Sequence, residues 1–315
     1  MIALDEIRRA REVLDGVAVR TPLVRLEVDA PCELYVKLET LQPVNSFKIR
    51  GAGNAVLQAS DDELRDGVLT ASAGNMAQGV AWAARARGVP ATIVVPEHAP
   101  ETKLAAIGRL GGRVIRVPYE EWWQTLVTGR YEGVDGLFVH PVDDERVMAG
   151  NGTIGLEIVE DLPDVDTVVV PYGGGGLTTG IGSAVKQLRP EARLIAVEPE
   201  TGAPVNATLA AGEPTAVEYT PSFVDGSGSR ELIPRVWTHV EGLIDGAWAA
   251  PLPDVAAAVR LLAERARVVA EGAGALAVAA ALAGQAGEGM VVAVVSGGNI
   301  DFAVLSEILA GRVPA

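Results

Sequence analysis

Short apolar strands alternate with helical segments within residues 67–117, and this alternation most constrains what the chain can fold into. Residues 68–70, 91–95 and 113–117 each read as a strand, with helical patterns between them. A strand that is apolar throughout is typical of a sheet covered by helices on both faces. Repeated β-α units of this length predict a parallel sheet with right-handed crossovers.

The same alternation returns in the second half of the chain. Three further apolar strands are predicted at residues 166–170, 194–197 and 290–295. The first 52 residues also contain strand-like segments, whereas no Ser/Gly-rich linker is present. The predicted fold class is α/β, with two open, twisted, mainly parallel sheets flanked by helices. We expect a large domain of residues 1–52 and 146–315 and a small α/β domain of residues 53–145.

A helix is predicted after Asp254, whose side chain is expected to cap it. Its apolar positions recur at spacings of three and four, at Val255, Val259, Leu262, Ala266 and Val269. This period is typical of an amphipathic helix with one face on the core.

The charge balance excludes several classes of partner. The chain has 26 basic and 41 acidic residues and a net charge of −15, so no basic face for nucleic acid is indicated. No apolar run is long enough to span a membrane, and the N-terminal residues mix charges into their apolar positions. The single cysteine, Cys32, suits a reducing cytoplasm. We therefore expect a cytoplasmic protein that binds neither nucleic acid nor membrane.

Three small-residue turns follow predicted buried strands, at residues 72–75, 173–176 and 296–299. Ligands of open parallel sheets bind beyond the carboxyl ends of the strands, where such turns lie. The second turn has four consecutive glycines, which allow backbone N–H groups to surround a compact anion such as phosphate. A nucleotide loop of the Walker A type would need Gly-Lys-Ser/Thr, which the sequence after Gly176 lacks. A flexible surface loop is the alternative.

Lys48 lies between Phe47 and Ile49, where apolar neighbours disfavour its charged form. Desolvation of an ammonium lowers its pKa and makes the amine nucleophilic, as a Schiff-base lysine requires. Taken alone, Lys48 could equally be a surface lysine with its stem on the core. Together with the predicted phosphate loop, it indicates an aldehyde cofactor that carries a phosphate.

Seven motifs in order make the chain resemble the fold-type II pyridoxal-phosphate enzymes, which are similar to the tryptophan synthase β-subunit, and within them the serine/threonine dehydratase and serine racemase family. The motifs lie at residues 46–52, 70–75, 150–157, 173–177, 197–200, 271–275 and 296–299. The resemblance covers nearly the whole chain, and it implies pyridoxal 5'-phosphate as the cofactor and an amino acid as the substrate. It also implies a homodimer.

The resemblance assigns roles to individual residues. Lys48 would form the Schiff base and then remove the substrate's Cα proton. Phe47 would lie near the cofactor ring, with simple core packing as an equal alternative. The remaining implied roles are the 3-hydroxyl partner (Asn75), the phosphate loop (Gly173, Gly174, Gly175, Gly176), the pyridine-nitrogen partner (Ser296) and the substrate-carboxylate turn (Ser72, Ala73, Gly74, Asn75).

The implied reaction is β-elimination from L-threonine, L-serine or a related β-hydroxy amino acid, giving a 2-oxo acid and ammonia. Racemases of the family resemble Ser-Ser-Gly-Asn at the first turn, whereas this chain has Ala73, which cannot transfer a proton. Three alternatives remain: a serine racemase, a β-replacement synthase of the same fold, and a non-catalytic cofactor-binding metabolite sensor. Met76, where many relatives have a histidine, leaves the substrate open.

Some relatives bind a divalent cation after a strand that ends in Glu-Pro. Glu198 matches the first ligand, but Pro204 stands where an aspartate is expected. Because the loss of a carboxylate weakens an all-oxygen site, we predict no metal there.

Overall fold

Two sheets organise the chain, which the computed structural model describes from residue 1 to residue 314. The strands are β1 (Leu23–Arg25), β2 (Glu33–Leu38), β3 (Val68–Ala71), β4 (Ala91–Pro96), β5 (Gly112–Val117), β6 (Leu137–Phe138), β7 (Thr167–Pro171), β8 (Arg193–Pro199), β9 (Gly246–Ala250) and β10 (Met290–Val295). One sheet has the order β1-β2-β10-β7-β8-β9 and the other β5-β4-β3-β6. Every pair of neighbouring strands is parallel except β1 with β2.

Helices cover these sheets. They are α1 (Leu4–Val13), α2 (Lys48–Leu57), α3 (Asn75–Arg87), α4 (Glu101–Arg109), α5 (Tyr119–Thr128), α6 (Glu145–Asp161), α7 (Gly176–Leu188), α8 (Pro204–Ala211), α9 (Pro234–Val240), α10 (Leu252–Leu261), α11 (Gly272–Leu282) and α12 (Phe302–Leu309). No helix within residues 1–314 is both long and apolar enough to cross a bilayer.

The continuous apolar sequence of β10 explains its central place in the larger sheet. Alternate side chains of a strand point to opposite faces. Val291 and Val295 pack in the cluster that includes the alanine-rich α11, whereas Val292 and Val294 pack in the cluster that includes α7. Both faces of this strand are therefore buried, and the prediction of an α/β fold with two mainly parallel sheets is confirmed.

The six-stranded sheet takes its strands from residues 23–38 and 167–295, and the four-stranded sheet from residues 68–138. The expected division into a large and a small domain stays a prediction. The domain boundaries at residues 52 and 146 stay predictions.

The helix predicted after Asp254 differs from the observed one. Helix α10 begins at Leu252, after Pro251, and Asp254 lies in its first turn instead of capping it. A wider π turn follows at residues 262–266, and Arg267 then adopts a left-handed conformation with φ of 58°. Val269 therefore lies outside the helix and is 43% exposed. Periodicity alone could not show this end, because the apolar spacing continues past the residue at which the backbone turns.

Helix α6 packs directly against the backbone of two neighbours. A Cβ on Gly150 would lie 2.3 Å from the carbonyl oxygen of Arg50 in α2. A Cβ on Gly180 of α7 would lie 2.3 Å from the carbonyl oxygen of Met148 in α6. Only glycine permits these approaches. The close packing fixes the positions of α2, which begins at Lys48, and of α7, which follows the four glycines.

Candidate active site

Lys48 is the first residue of α2, and its amine lies in a partly buried environment. The Nζ atom donates a hydrogen bond to the carbonyl oxygen of Pro141 at 3.0 Å and lies 5.0 Å from the centre of the Phe47 ring. Burial lowers the pKa of this amine to about 8, although the Glu271 carboxylate opposes the shift. Lys48 therefore has a larger neutral, nucleophilic fraction at physiological pH than an ordinary lysine has.

The segment that holds the lysine amine also supports the glycine turn. His140 Nδ1 accepts hydrogen bonds from the N–H groups of Val142 and Asp143, at 3.1 and 2.7 Å. Burial lowers the pKa of His140 to about 4, which keeps the ring neutral and this nitrogen able to accept. Val142 then packs against Gly174, where a Cβ would lie 2.8 Å from its methyl groups. The loop between β6 and α6 thus connects Lys48 to the predicted phosphate site.

The glycine turn is rich in unused donors. None of the six consecutive N–H groups from Gly173 to Thr178 donates a hydrogen bond to another group within residues 1–314. Gly175 has φ of 91°, and a Cβ there would lie 2.7 Å from Val236 and 2.8 Å from the Tyr172 hydroxyl. Free N–H groups at the start of a helix such as α7, which has 13 residues, form a site for a phosphate.

A second set of free donors lies at the start of α3. The N–H groups of Ala73, Asn75 and Met76 have no acceptor within residues 1–314, whereas that of Gly74 donates to the Ser72 hydroxyl at 3.2 Å. Such a turn can bind a carboxylate. Met76 is only 2% exposed and packs in the core of the smaller sheet.

The third turn is joined to the lysine segment through the backbone. The N–H of Phe47 donates to the carbonyl oxygen of Ser296 at 3.0 Å, and the N–H of Gly298 donates to that of Asn45 at 2.9 Å. Ser296 is buried at the end of β10. Phe47 packs against the core cluster beneath the larger sheet, so core packing accounts for this side chain, and its contact with a cofactor stays a prediction.

Glu271 joins the first and third turns. Its carboxylate accepts a hydrogen bond from Asn75 Nδ2 at 2.7 Å, and Asn75 Oδ1 accepts one from Asn299 Nδ2 at 2.8 Å. Burial raises the pKa of Glu271 to about 7, and the Asp225 charge adds to this effect. The sequence predicts that all three turns and Lys48 lie together, whereas it assigns no role to Glu271 or to Asn299. Their place in the motifs at residues 271–275 and 296–299 was the available signal.

A cleft of about 1080 Å³ opens beside these groups. Gln78, Glu271 and Asn299 line it, and an ion pair between Lys103 of α4 and Asp225 lies at its edge. Lys103 lies in sequence between two strands of the four-stranded sheet, and Asp225 lies between two strands of the six-stranded sheet. Neither Lys48 nor the four glycines line this cleft, so it adjoins the candidate site through Glu271 and Asn299.

Arg50, two residues after Lys48, holds the start of α2 from the opposite side. Its guanidinium bonds to Glu39 at 2.8 Å and to Glu157 at 2.6 Å, and Lys37 bonds to Glu157 at 2.6 Å. All four side chains are at most 6% exposed. Two acids and two bases balance in this cluster, which anchors the lysine segment to β2 and α6. Spacing along the sequence did not reveal it.

Glu198, at the end of β8, has a structural partner. Its carboxylate accepts hydrogen bonds from the N–H groups of Val205 and Asn206 at 3.1 and 3.0 Å, at the start of α8. Burial raises the pKa of this carboxyl to about 7. Pro204 begins α8, so the helix start takes the position at which an aspartate was expected. The absence of a metal there stays a prediction.

The geometry defines a class of protein: an α/β enzyme that holds a phosphorylated aldehyde between a nucleophilic lysine and a loop of free N–H donors. The family model described as pyridoxal-phosphate dependent enzyme matches residues 14–297, and the chain belongs to this family. The residues present suit the cofactor, because the glycine turn offers unpaired donors to a phosphate and Lys48 offers an amine to an aldehyde.

Individual relatives are similar over nearly the full chain. L-threonine ammonia-lyase of Thermotoga maritima is 42% identical over 315 residues, covering 98% of this chain and 78% of the relative. The catabolic L-threonine dehydratase of Escherichia coli K12 is 37% identical, with 98% and 96% covered. The solved structure of maize serine racemase superposes with a TM-score of 0.90 at 31% identity, with 98% and 97% covered.

Proposed function

We propose that the protein is a pyridoxal-phosphate-dependent ammonia-lyase that eliminates water from L-threonine, L-serine or a related β-hydroxy amino acid. The observation that carries this proposal is the amine of Lys48, with its lowered pKa, bound to Pro141 beside Val142, which packs on the glycine turn and its free donors. The dehydratases among the relatives support elimination as the reaction.

The bound cofactor supplies an electron sink for the bond that breaks at Cα. The chain supplies the positions of the reacting groups. The free N–H groups at the start of α3 bind the substrate carboxylate, and those of Gly173 to Thr178 bind the cofactor phosphate. Lys48 would hold the proton taken from Cα at its Nζ atom. Ser296 would offer the pyridine nitrogen a hydroxyl, which is a weaker partner than a carboxylate and would favour elimination over transamination.

A panel of β-hydroxy amino acids, assayed for 2-oxo acid, tests the proposal. We expect keto acid from at least one L-enantiomer. A visible cofactor spectrum without turnover of any member would favour the metabolite sensor instead. Formation of a thiol product from an activated serine and sulfide, without keto acid, would favour a β-replacement synthase.

The methyl group of Ala73 predicts the stereochemistry of the reaction. Ala73 lies in the substrate turn and has no acid or base to give Cα a proton on the face opposite Lys48. We expect the wild-type enzyme to form no D-serine from L-serine, and we expect Ala73→Ser to gain racemisation that chiral chromatography detects. Ala73→Gly, which also lacks a hydroxyl, is the control. Racemisation by the wild type would contradict this prediction.

Removal of divalent cations is expected to leave turnover unchanged. The N–H groups of α8 already satisfy Glu198, so this carboxylate does not need a cation. The measurement is keto-acid formation before and after dialysis against a chelator, with added magnesium or calcium as the control. A loss that either cation restores would show that the site at Glu198 is occupied in solution.

The assembly and the compartment are further parts of the proposal. We propose a homodimer in the cytoplasm, on the strength of the family resemblance and the single cysteine, Cys32. Light scattering of the purified protein measures the first, and a mass other than that of two chains would contradict it.

A further inference from the structure

Three polar side chains, of which Asn299 and Glu271 line the cleft, form a series of hydrogen bonds whose direction is fixed. Asn299 Nδ2 donates to the carbonyl oxygen of Val44 at 2.9 Å and to Asn75 Oδ1 at 2.8 Å. Asn75 Nδ2 then donates to Glu271 Oε1 at 2.7 Å. A backbone carbonyl can only accept, so Asn299 must turn its NH₂ group toward Val44 and Asn75. Asn75 must in turn accept with its oxygen, and its own NH₂ group is left for Glu271.

The last group in this series of hydrogen bonds, the Glu271 carboxylate, accepts from Asn75. Glu271 is 6% exposed, and although it precedes α11 directly, its carboxylate does not cap that helix. A Cβ on Gly297 would lie 2.5 Å from Glu271 Oε1, so the carboxylate depends on a glycine for its space. The carboxylate therefore has a defined place against Asn75.

The second hydrogen of Asn75 Nδ2 forms no hydrogen bond within residues 1–314. We propose that Asn299 and Glu271 are positioning residues that hold Asn75 with its NH₂ group toward the 3-oxygen of the cofactor, so that the site binds this oxygen ionised. The inference rests on the proposed function, in which Asn75 is the partner of that oxygen. An N–H donor stabilises the anion, whereas a carbonyl oxygen in its place would stabilise the un-ionised hydroxyl.

Asn299→Asp is expected to reverse the direction of these hydrogen bonds, and it provides the test. The introduced carboxylate can only accept, so Asn75 turns its NH₂ group toward residue 299 and its oxygen toward the cofactor and Glu271. Glu271, whose pKa burial raises to about 7, can then take a proton and donate to this oxygen. In the holoenzyme at one fixed pH, the visible band of the lysine-bound cofactor requires an ionised 3-oxygen. We expect the ratio of this band to the near-ultraviolet band to fall about tenfold, because a hydrogen bond to a charged group is lost.

Asn45→Asp is the matched control. Asn45 is exposed and lies in the segment before Lys48, and within residues 1–314 its side chain forms one hydrogen bond, to Asn299 Oδ1 at 3.5 Å. The Asn45→Asp variant places the same charge nearby but leaves the direction of the hydrogen bonds between Asn299, Asn75 and Glu271 unchanged. We therefore expect an unchanged spectrum. An equal change in both variants would assign the effect to charge and overturn the inference.

Asn299→Ala provides a second test of the band ratio, and it introduces no charge. It frees Asn75 to adopt either orientation, and we expect a smaller fall in the same ratio. If Asn299→Asp binds no cofactor, an unchanged ratio in Asn299→Ala overturns the inference.

Asn75→Ala separates this inference from the proposed function. If it leaves the ratio unchanged, Asn75 does not contact the 3-oxygen, and that part of the proposed function fails. If it changes the ratio while Asn299→Asp does not, the orienting role alone is wrong.

Discussion

Lys48→Ala is expected to lower keto-acid formation by on the order of 10⁴-fold or more. In the proposed mechanism, Lys48 provides both the covalent attachment of the cofactor and the base for the Cα proton, so the variant would lose both. No other lysine replaces it, since Lys103 is paired with Asp225 at the cleft edge. Steady-state assays on the best substrate of the panel measure the effect.

Lys186→Ala is the control for this variant. Lys186 lies on α7 and pairs with Asp245 at 2.7 Å, remote from the glycine turn. Borohydride reduction followed by mass spectrometry should place the cofactor on the peptide that contains Lys48 in the wild type and in this control. A small primary amine added to Lys48→Ala should restore part of the turnover. Labelling of a different lysine, or near-normal turnover in Lys48→Ala, would show that the assigned mechanism is wrong.

Arg50→Met is expected to destabilise the folded protein by about 3–5 kcal/mol. The substitution leaves Glu39 and Glu157 buried with Lys37 as their only cation, and an uncompensated buried charge is costly. Although burial raises the pKa of Glu39, the Arg50 guanidinium outweighs it and holds this pKa below its ordinary value. Urea unfolding of the holoenzyme measures the loss.

The surface offers a matched control in Arg20→Met. Arg20 also pairs with two acids, Glu160 and Asp161, but its side chain is 49% exposed. Exposed pairs contribute less than about 1 kcal/mol, so the variant should unfold near the wild-type midpoint. Equal losses in the two variants would contradict the role given to burial.

The difference between wild type and Arg50→Met should also depend on pH. A carboxylate whose pKa is lowered in the folded state adds stability above its unfolded pKa, and this contribution disappears as the pH falls through the folded pKa. We therefore expect the gap in unfolding free energy to shrink below about pH 4.3.

The chain's own pattern determined the fold class and most of the candidate site. Continuous apolar strands such as β10 are buried on both faces, and local periodicity is sufficient to recognise them. Lys48 and the four glycines at residues 173–176 were identified because desolvation and backbone approach depend mainly on near neighbours in sequence. The predicted end of α10 was wrong, because a π turn follows the helix although the apolar spacing continues in the sequence.

Only the tertiary structure decided which distant groups act on one another. Glu271 lies 196 residues from Asn75, and Glu157 lies 107 residues from Arg50, yet each pair is in hydrogen-bond contact. Hydrogen bonds and ion pairs act over a few ångströms, so their partners follow from how α2, α6 and β10 pack together. The sequence alone thus determined most of the elements and identified Lys48 as the candidate reactive lysine. Packing determined the donors left free, the carboxylate that faces Asn75 and the buried charges that hold the lysine segment in place.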